Sequence, residues 1–459
     1  MQDDFYQKQR AFLKKSKDYE TLYEKWDYYI AFIERGLKLV KKTGYLSYII
    51  SNSYNTSKSS KKSKEFIDKN FYLKQLDFFK NMEVFKGVGV ESLIITVKNE
   101  KTDELTKRIV HKDSFENISI LKYTNDIKKI YKSEDPLDLD NNFEDTSLLG
   151  DICFISKGMV LNADEKVAKG EFKKSDLISD IKTEINIKPY IEGKDVRRYK
   201  INNIRYLEWD TNRVPSKISR PTFPELYIYP KLIRGKTNQG IYDDSGLVTN
   251  DSCYISVLYD SLKDVENRSI SNSIKKWSEK SRNELEDISK NFDLKYIQAI
   301  MNSNLCKYYL NTIRTHRIEY YTSPDELKLM PIKNLDLEEQ SEIGDYVENI
   351  SNANVELANE INSFKKWLLR NYNISKLSKK LENYYELDFE DFLKEIKKKT
   401  KISQRKQQEL LENEFNDSLK VINNLQNKIS DLDKTINNIV YELYELTPKE
   451  IEIIEDSLK

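Results

Sequence analysis

The sequence predicts a mixed α/β chain in three parts: half of an α/β sheet, an irregular α+β domain, and a long antiparallel helical C-terminal region. Three observations predict it. Within the first hundred residues an apolar helical face alternates with apolar runs of strand length. Eight of the nine prolines lie between Pro136 and Pro331, marking a turn-rich middle. Two heptad seams occupy the stretch 336–459. A chain of 459 residues is in any case too long for one ordinary domain.

Residues 1–25 are polar and helical in pattern. Trp26, Tyr29, Ile30, Ile33, Leu37 and Val40 then recur at helical spacing, with Lys41 and Lys42 in the last turn and Gly44 as the C-terminal stop. "YLSYIIS" (Tyr45–Ser51) reads as a buried strand, and "SKSSKKSKEFIDKN" (Ser57–Asn70) as a second helix. "YLKQLDFF" (Tyr72–Phe79) and "SLIITV" (Ser92–Val97) read as two further strands. These define a domain over 1–100. Residues 101–147 read as a charged connector with one weak strand, "RIVHK". Short aromatic and turn-rich segments define a second domain over 148–335. In the last part, 336–459, Ile343, Val347, Ile350, Asn354, Leu357, Ile361, Phe364 and Leu368 alternate spacings of four and three. Ile422, Leu425, Ile429, Leu432, Ile436, Ile439 and Leu443 do the same. The two helices pack on each other or on a partner chain, with Asn354 as a polar register-setting residue.

Composition excludes several function classes. Lys+Arg and Asp+Glu balance at 76 each, so any nucleic-acid surface must be local. Two histidines and three scattered cysteines provide neither a histidine-rich metal site nor a disulfide framework, so no metal is expected. No apolar run reaches membrane-spanning length and the N-terminus is charged throughout, which predicts a cytoplasmic chain.

The order of segments carries a resemblance. Trp26–Ile67 is similar to the second half of the catalytic domain of DNA adenine-N6 methyltransferases with a TaqI-like specificity domain, including the fused type IIG restriction–modification enzymes. The family's helix-ending turn stands here as Lys42-Thr43-Gly44, and its Pro-Asn-Ser-Phe-like loop as Ser51-Asn52-Ser53-Tyr54. "VFKGVGVESLIITVK" resembles the next block, where an aromatic at the position of Phe85 stacks on the flipped adenine. "LLGDICFISKGMVLNADEK" and "IKPYIEGKDVRRYKI" resemble the opening and the Lys-Pro block of the target-recognition domain. "YIQAIMNSNLCKYYL" and "LKLMPIKNLDLEEQSEIGDYV" resemble its Asn-Ser helix and its exit, and "VYELYELTPKEIEIIE" the C-terminus of the fused proteins. The resemblance implies a partial Rossmann-like methyltransferase sheet, then a target-recognition domain and a helical spacer.

Physical reasoning supports a role for Phe85. Extruding an adenine costs a few kcal/mol of unstacking, and an aromatic face returns ~1–3 kcal/mol per stacked base. Gly87 and Gly89 allow the loop a close approach. On pattern alone a core phenylalanine before a strand is favoured; with the ordered blocks, stacking is.

Methyl transfer from S-adenosylmethionine needs a Gly-rich cofactor loop and an Asn/Asp-Pro-Pro-Tyr/Phe loop. The first glycine is Gly36, inside a helix, and the first proline is Pro136. No catalytic residue is therefore assigned. The cofactor is expected to be held by a separate polypeptide carrying the missing half, without which this chain is inactive. The carboxylates and lysines of "ELDFEDFLKEIKKK" read as a solvated helix face rather than a nuclease site. For duplex DNA, the candidate contacts are Lys194, Arg197, Arg198, Arg234, Lys236 and Asn238. An ordinary polar hairpin over Arg234–Gly240 is the alternative there. The leading expectation is the C-terminal part, or a split subunit, of a site-specific adenine methyltransferase of a restriction–modification or phage-defence system. The runner-up is a non-enzymatic module like type I specificity subunits, whose helices dock methyltransferases; a coiled-coil scaffold is a third.

Overall fold

The computed structural model describes residues 2–23, 26–80, 82–87, 90–125, 130–131, 137, 139, 142–161, 171–214, 224–235, 239–313, 323–402 and 404–458. The fold is mixed α/β, with several sheets and two long helices. It divides into two compact units, residues 1–141 with 308–326, and residues 142–307 with 327–459. Among the described residues no helix is long and apolar enough to cross a membrane.

The first unit begins with α1 (Gln2–Lys15), α2 (Tyr28–Leu39), β1 (Tyr45–Ser51), α3 (Lys61–Asn70), β2 (Tyr72–Lys80) and β3 (Ser92–Lys98). Asp27 caps α2 by accepting from the Tyr28 N–H. The expected apolar face is buried at Trp26, Ile30, Ile33 and Leu37. It also buries Glu34, whose carboxylate accepts from the Thr21 N–H at 2.9 Å and hydroxyl at 2.5 Å, and from Lys38 Nζ at 2.5 Å. Burial alone would raise the Glu34 carboxyl; these hydrogen bonds outweigh it and hold it low.

The α2 exit differs from expectation. The helix ends at Leu39, so Lys41 and Lys42 lie outside it, and Thr43, not Gly44, takes the left-handed backbone at φ 62°. A Cβ on Gly44 would meet Val40 Cγ1 at 2.8 Å and the Lys41 carbonyl at 2.9 Å, so crowding selects that glycine.

The sheet has the order β1-β3-β2-β4-β5, with β4 (Thr106–Lys112) and β5 (Ile118–Thr124). Only β2 and β4 run parallel; the other pairs are antiparallel. A register shift between Leu73 and Gln75 lets Leu73 and Leu76, three apart, share the core face with Phe78, Leu93, Ile95 and Val97. The expected connector over 101–147 is therefore corrected: its first part supplies two strands of this sheet. Its charged letters misled because Arg108 is buried in β4. At the opposite edge β1 pairs, among the described residues, only with β3, and Tyr45 and Ile49 stay exposed.

The second unit carries β6 (Thr146–Leu148), β7 (Cys153–Lys157), β8 (Ile178–Ser179), β9 (Asn186–Ile191), β10 (Val196–Arg197), β11 (Lys200–Ile201), β12 (Arg205–Glu208), β13 (Lys231–Arg234), β14 (Gly240–Asp243), β15 (Val248–Thr249), β16 (Tyr254–Leu258) and β17 (Pro331–Lys333). They form sheets ordered β14-β13-β16-β7 and β15-β9-β12-β8, and the pairs β10-β11 and β17-β6. One apolar cluster draws on both larger sheets through Phe154, Ile255, Tyr190, Leu207 and Val248. It also takes in Ile270 of α4 (Arg268–Trp277) and Leu285 of α5 (Arg282–Ser289).

Beyond α6 (Leu294–Asn302), α7 (Leu337–Asn371) and α9 (Arg405–Leu443) pair antiparallel, with α8 (Phe389–Lys397) packed at their distal end and α10 (Pro448–Ser457) closing the chain. Val347 and Ile350 share a cluster with Ile436, whereas Phe364 and Leu368 share one with Leu411 and Phe415. Asn354 is buried and donates to the Ile350 carbonyl at 2.9 Å. The second seam departs from its heptad. After Ile436 the buried aliphatic and aromatic positions up to the helix end are Val440, Tyr441 and Tyr444 rather than Ile439 and Leu443, because an α-helix advances 3.6 residues per turn and drifts from a strict seven-residue repeat.

Candidate base-stacking loop and DNA-contacting residues

At one end of the first sheet two loops are tied together. Ser51 pairs with Ser92, the Asn52 N–H donates to the Glu91 carbonyl at 2.9 Å, and Asn52 Nδ2 donates to Glu91 Oε2 at 3.1 Å. The Asn52 side-chain oxygen is buried and finds no donor among the described residues. On the loop that leads to Glu91, Phe85 is 50% exposed. That exposure rules against the core-packing alternative. Gly87 takes φ +79°, a conformation costly for other residues, and its N–H donates to the Glu83 carboxylate. Gly89 lies outside the described residues.

Tyr54 is fully buried beneath α3, its hydroxyl 3.1 Å from Ser63 Oγ. Lys64 turns inward as well. Its ammonium donates to the Asn55 carbonyl and stands 4.4 Å from the Tyr131 ring centroid. Burial pushes this lysine down to about 8, so within "SKSSKKSK" it serves packing.

In the second unit the expected DNA contacts separate into different roles. Lys194 is exposed, with Nζ 3.2 Å from Glu192 Oε2. Arg197 donates to the carbonyls of Lys194 at 2.8 Å and Val196 at 2.9 Å, which bends it back over its own turn. Arg198 Nε lies 2.9 Å from Asp433 Oδ1, a contact of charges rather than an aligned hydrogen bond. Arg234 is corrected outright. It is 3% exposed and donates to the Met301 carbonyl at 2.9 Å, and a guanidinium so enclosed cannot reach a base edge. Lys236 and Asn238 lie outside the described residues.

Sequence reasoning missed the acidic hub beneath this block. Glu192 is buried and receives Arg205 at 3.0 Å, Lys194 at 3.2 Å, the Tyr190 hydroxyl at 3.1 Å, and Lys174. Burial would raise its carboxyl, but hydrogen bonds from Lys174, Arg205 and Lys194 outweigh that and lower it to about 2 from an ordinary 4.5. Two acids inside the basic stretch "EGKDVRR" were the available signal. A depressed carboxylate contributes stability that is complete above pH 4.5 and lost as pH falls toward 2. Glu192→Gln is expected to flatten the dependence of melting temperature on pH across that window.

Three of the sequence blocks singled out above converge in space. Arg198 meets Asp433 of α9; the Asn304 N–H donates to Asn437 Oδ1 at 2.8 Å; Asn304 Nδ2 donates to both Glu455 oxygens at 3.0 and 3.1 Å. The Tyr441 hydroxyl donates to the same Glu455 carboxylate. Tyr199, Ala299, Val347, Ile350 and Ile436 pack beside them. No group of three or more His, Cys, Asp or Glu placed to hold a metal occurs among the described residues.

Comparison with known proteins finds likenesses to one class. Residues 3–85 match the Eco57I restriction-modification methylase family. Residues 336–440, nearly all of the helical pair, match a domain of unknown function, DUF8810. The first part of the chain is thus similar to restriction-modification methylases. It is 26% identical over 215 residues to the type II restriction enzyme and methyltransferase RM.Eco57I of Escherichia coli, covering 45% of this chain and 20% of that protein. It is 28% identical over 112 residues to the type II methyltransferase M.BstVI of Geobacillus stearothermophilus, covering 24% and 19%. The chain therefore spans about a fifth of the length of each of these curated relatives. Among solved structures, the type IIL restriction-modification enzyme MmeI in complex with DNA aligns at TM-score 0.44 and 9% identity, over 93% of this chain and 53% of that one. The DrdV–DNA complex aligns at TM-score 0.34 and 12% identity, over 70% and 39%. Scores this low add no weight to the class.

Proposed function

We propose that this chain is the part of a site-specific DNA adenine-N6 methyltransferase that recognises duplex DNA and holds a flipped adenine, within a restriction–modification or phage-defence system. The observation that carries this reading is that the Eco57I-type match over residues 3–85 ends on a half-exposed aromatic, Phe85, poised on a glycine turn. A ring so placed can take the face of an extruded base. At the same end of the sheet, the unsatisfied Asn52 oxygen can accept from an amino group.

In this reading no residue of the chain is assigned to S-adenosylmethionine. The first glycine, Gly36, sits inside α2, and the glycine turn that follows β2 is the one that carries Phe85. In this proposal the cofactor is held by a separate polypeptide whose strand pairs with the open edge of β1. Exposed Tyr45 and Ile49 on that edge support such a partner, because single chains avoid apolar open edges. The TaqI-like recognition role falls to the second unit, where Lys194, Arg197 and Lys200 are cations of the basic block that solvent reaches. The buried seam of α7 and α9 weakens the reading of this chain as a module whose helices dock methyltransferases, since those helices pack on each other.

The purified chain alone is expected to bind no S-adenosylmethionine in calorimetry, and to shift duplex DNA at low salt. Micromolar cofactor binding would overturn the assignment to a partner. Absence of any shift would overturn the DNA reading.

A further inference from the structure

The chain is electrically neutral overall, yet one end of the long helical pair is not. Between Lys365 and Lys406 thirteen lysines and arginines face six acids. The excess concentrates in "KKKTKISQRK" (Lys397–Lys406), which holds six cations and no acid. This stretch runs from the end of α8 to the first turn of α9, and among its described residues only Ile402 turns into the core. Lys398 has Glu395 at 2.7 Å and Arg405 has Glu409 at 2.6 Å. Lys397, Lys399, Lys401 and Lys406 are exposed and form no ion pair among the described residues.

The local backbone adds to the same field. A helix N-terminus exposes unpaired N–H groups and a partial positive charge, so acids and side-chain caps normally occupy it. In α9 the N-cap residue Gln404 makes no side-chain hydrogen bond, and the first turn carries Arg405 and Lys406 with no acid. The Tyr372 hydroxyl donates to the Gln407 carbonyl at 3.3 Å, which brings the end of α7, with exposed Arg370, alongside. Like charges gathered at a positive helix end repel one another, and an anion relieves that cost.

Position suggests which anion. Val347 packs with Tyr199 next to the basic recognition block, while Asn371 ends α7 at the charged tip. At 1.5 Å per residue those points are about 36 Å apart along the helix, on the order of one turn of B-DNA. We infer that the α8–α9 tip is a second DNA-contact surface that grips the phosphate backbone about one helical turn from the contacts of Lys194 and Arg197. It lends affinity and salt dependence without reading bases. The inference rests on the DNA-binding reading above.

The test uses the full chain and a variant carrying Lys397→Gln, Lys399→Gln, Lys401→Gln and Lys406→Gln, with labelled random duplexes of about 8 base pairs (closed by a hairpin loop) and about 40 base pairs, sized to stay within one helical turn or to exceed it. Because the replaced side chains are exposed, the melting temperature should stay level or rise. On the long duplex the variant should bind at least about tenfold more weakly, with a salt slope shallower by roughly 2–4 units, since each phosphate contact contributes about 0.9. On the short duplex the two proteins should differ by less than about twofold. Equal affinity and slope on the long duplex, with the unaltered chain binding well, would overturn the tip alone. Failure of the unaltered chain to bind either duplex would overturn the DNA reading and the tip with it. Loss of polyglutamate binding in the variant with duplex binding unchanged would assign the tip to an acidic protein instead and overturn the inference.

Discussion

Lys231→Ala is expected to destabilise the second unit by about 3–5 kcal/mol, the range for leaving a buried charge without its partner. The Lys231 side chain is 0% exposed and that of Asp243 is 3% exposed, with Nζ 2.6 Å from Oδ2. The same ammonium donates to the carbonyls of Tyr227 at 2.9 Å and Tyr229 at 3.3 Å, so its three hydrogens are all used. Asp243 also accepts from the Ser245 N–H and hydroxyl and from the Leu247 N–H, which fixes the turn after β14. Burial pushes the lysine amine down and Asp243 pulls it back up, so the pair persists on geometry. Truncating the lysine strands a carboxylate in the core. A Lys231→Met/Asp243→Asn double variant should recover part of the loss, because no net charge remains buried. Urea titration of the three proteins reads the effect directly. A loss below about 1 kcal/mol, the size seen for exposed pairs, would mean that water reaches the pair in solution.

Phe85→Ala is expected to slow methyl transfer by on the order of 10- to 100-fold when the chain is combined with the cofactor-holding partner proposed above. This corresponds to removing ~1–3 kcal/mol of base stacking. The melting temperature should barely change, because half of the ring is already exposed. Phe85→Trp keeps a stacking face and should retain most of the rate. With 2-aminopurine at the target position, the alanine variant should alter the quenching of the extruded base, a signature that a packing role would not produce. An unchanged rate with the fold intact would remove Phe85 from the reaction.

Much of the first unit was legible from the sequence because apolar letters there mark burial faithfully. β1 spans the expected residues, and β2 and β3 each run one residue further than their apolar runs. The antiparallel helices followed from heptads, the most periodic signal in the chain. Illegible parts share one cause: charged residues that fold inward. Arg108 hid β4, Glu34 hid the anchor of the 20–21 segment, and Arg234 looked like a base reader while serving the core. A single sequence gives a buried ion pair the same letters as a solvated one. Only the partners at hydrogen-bond distance, often far along the chain, tell them apart. The exit of α2 failed for another reason: steric crowding, not backbone freedom, fixed the glycine.

If the second unit reads DNA as proposed, the junction built from Arg198, Asn304, Asp433, Asn437 and Glu455 has a practical consequence for anyone exchanging specificities between such proteins. A natural cut for a chimera would fall near residue 335, where the strands end and the long helices begin. That cut severs a wiring harness of charges whose two halves were fitted to each other. A transplanted reader would arrive with Arg198 and Asn304 facing an unfamiliar helix. A graft that carries α9 and α10 with the reader keeps both ends of every connection.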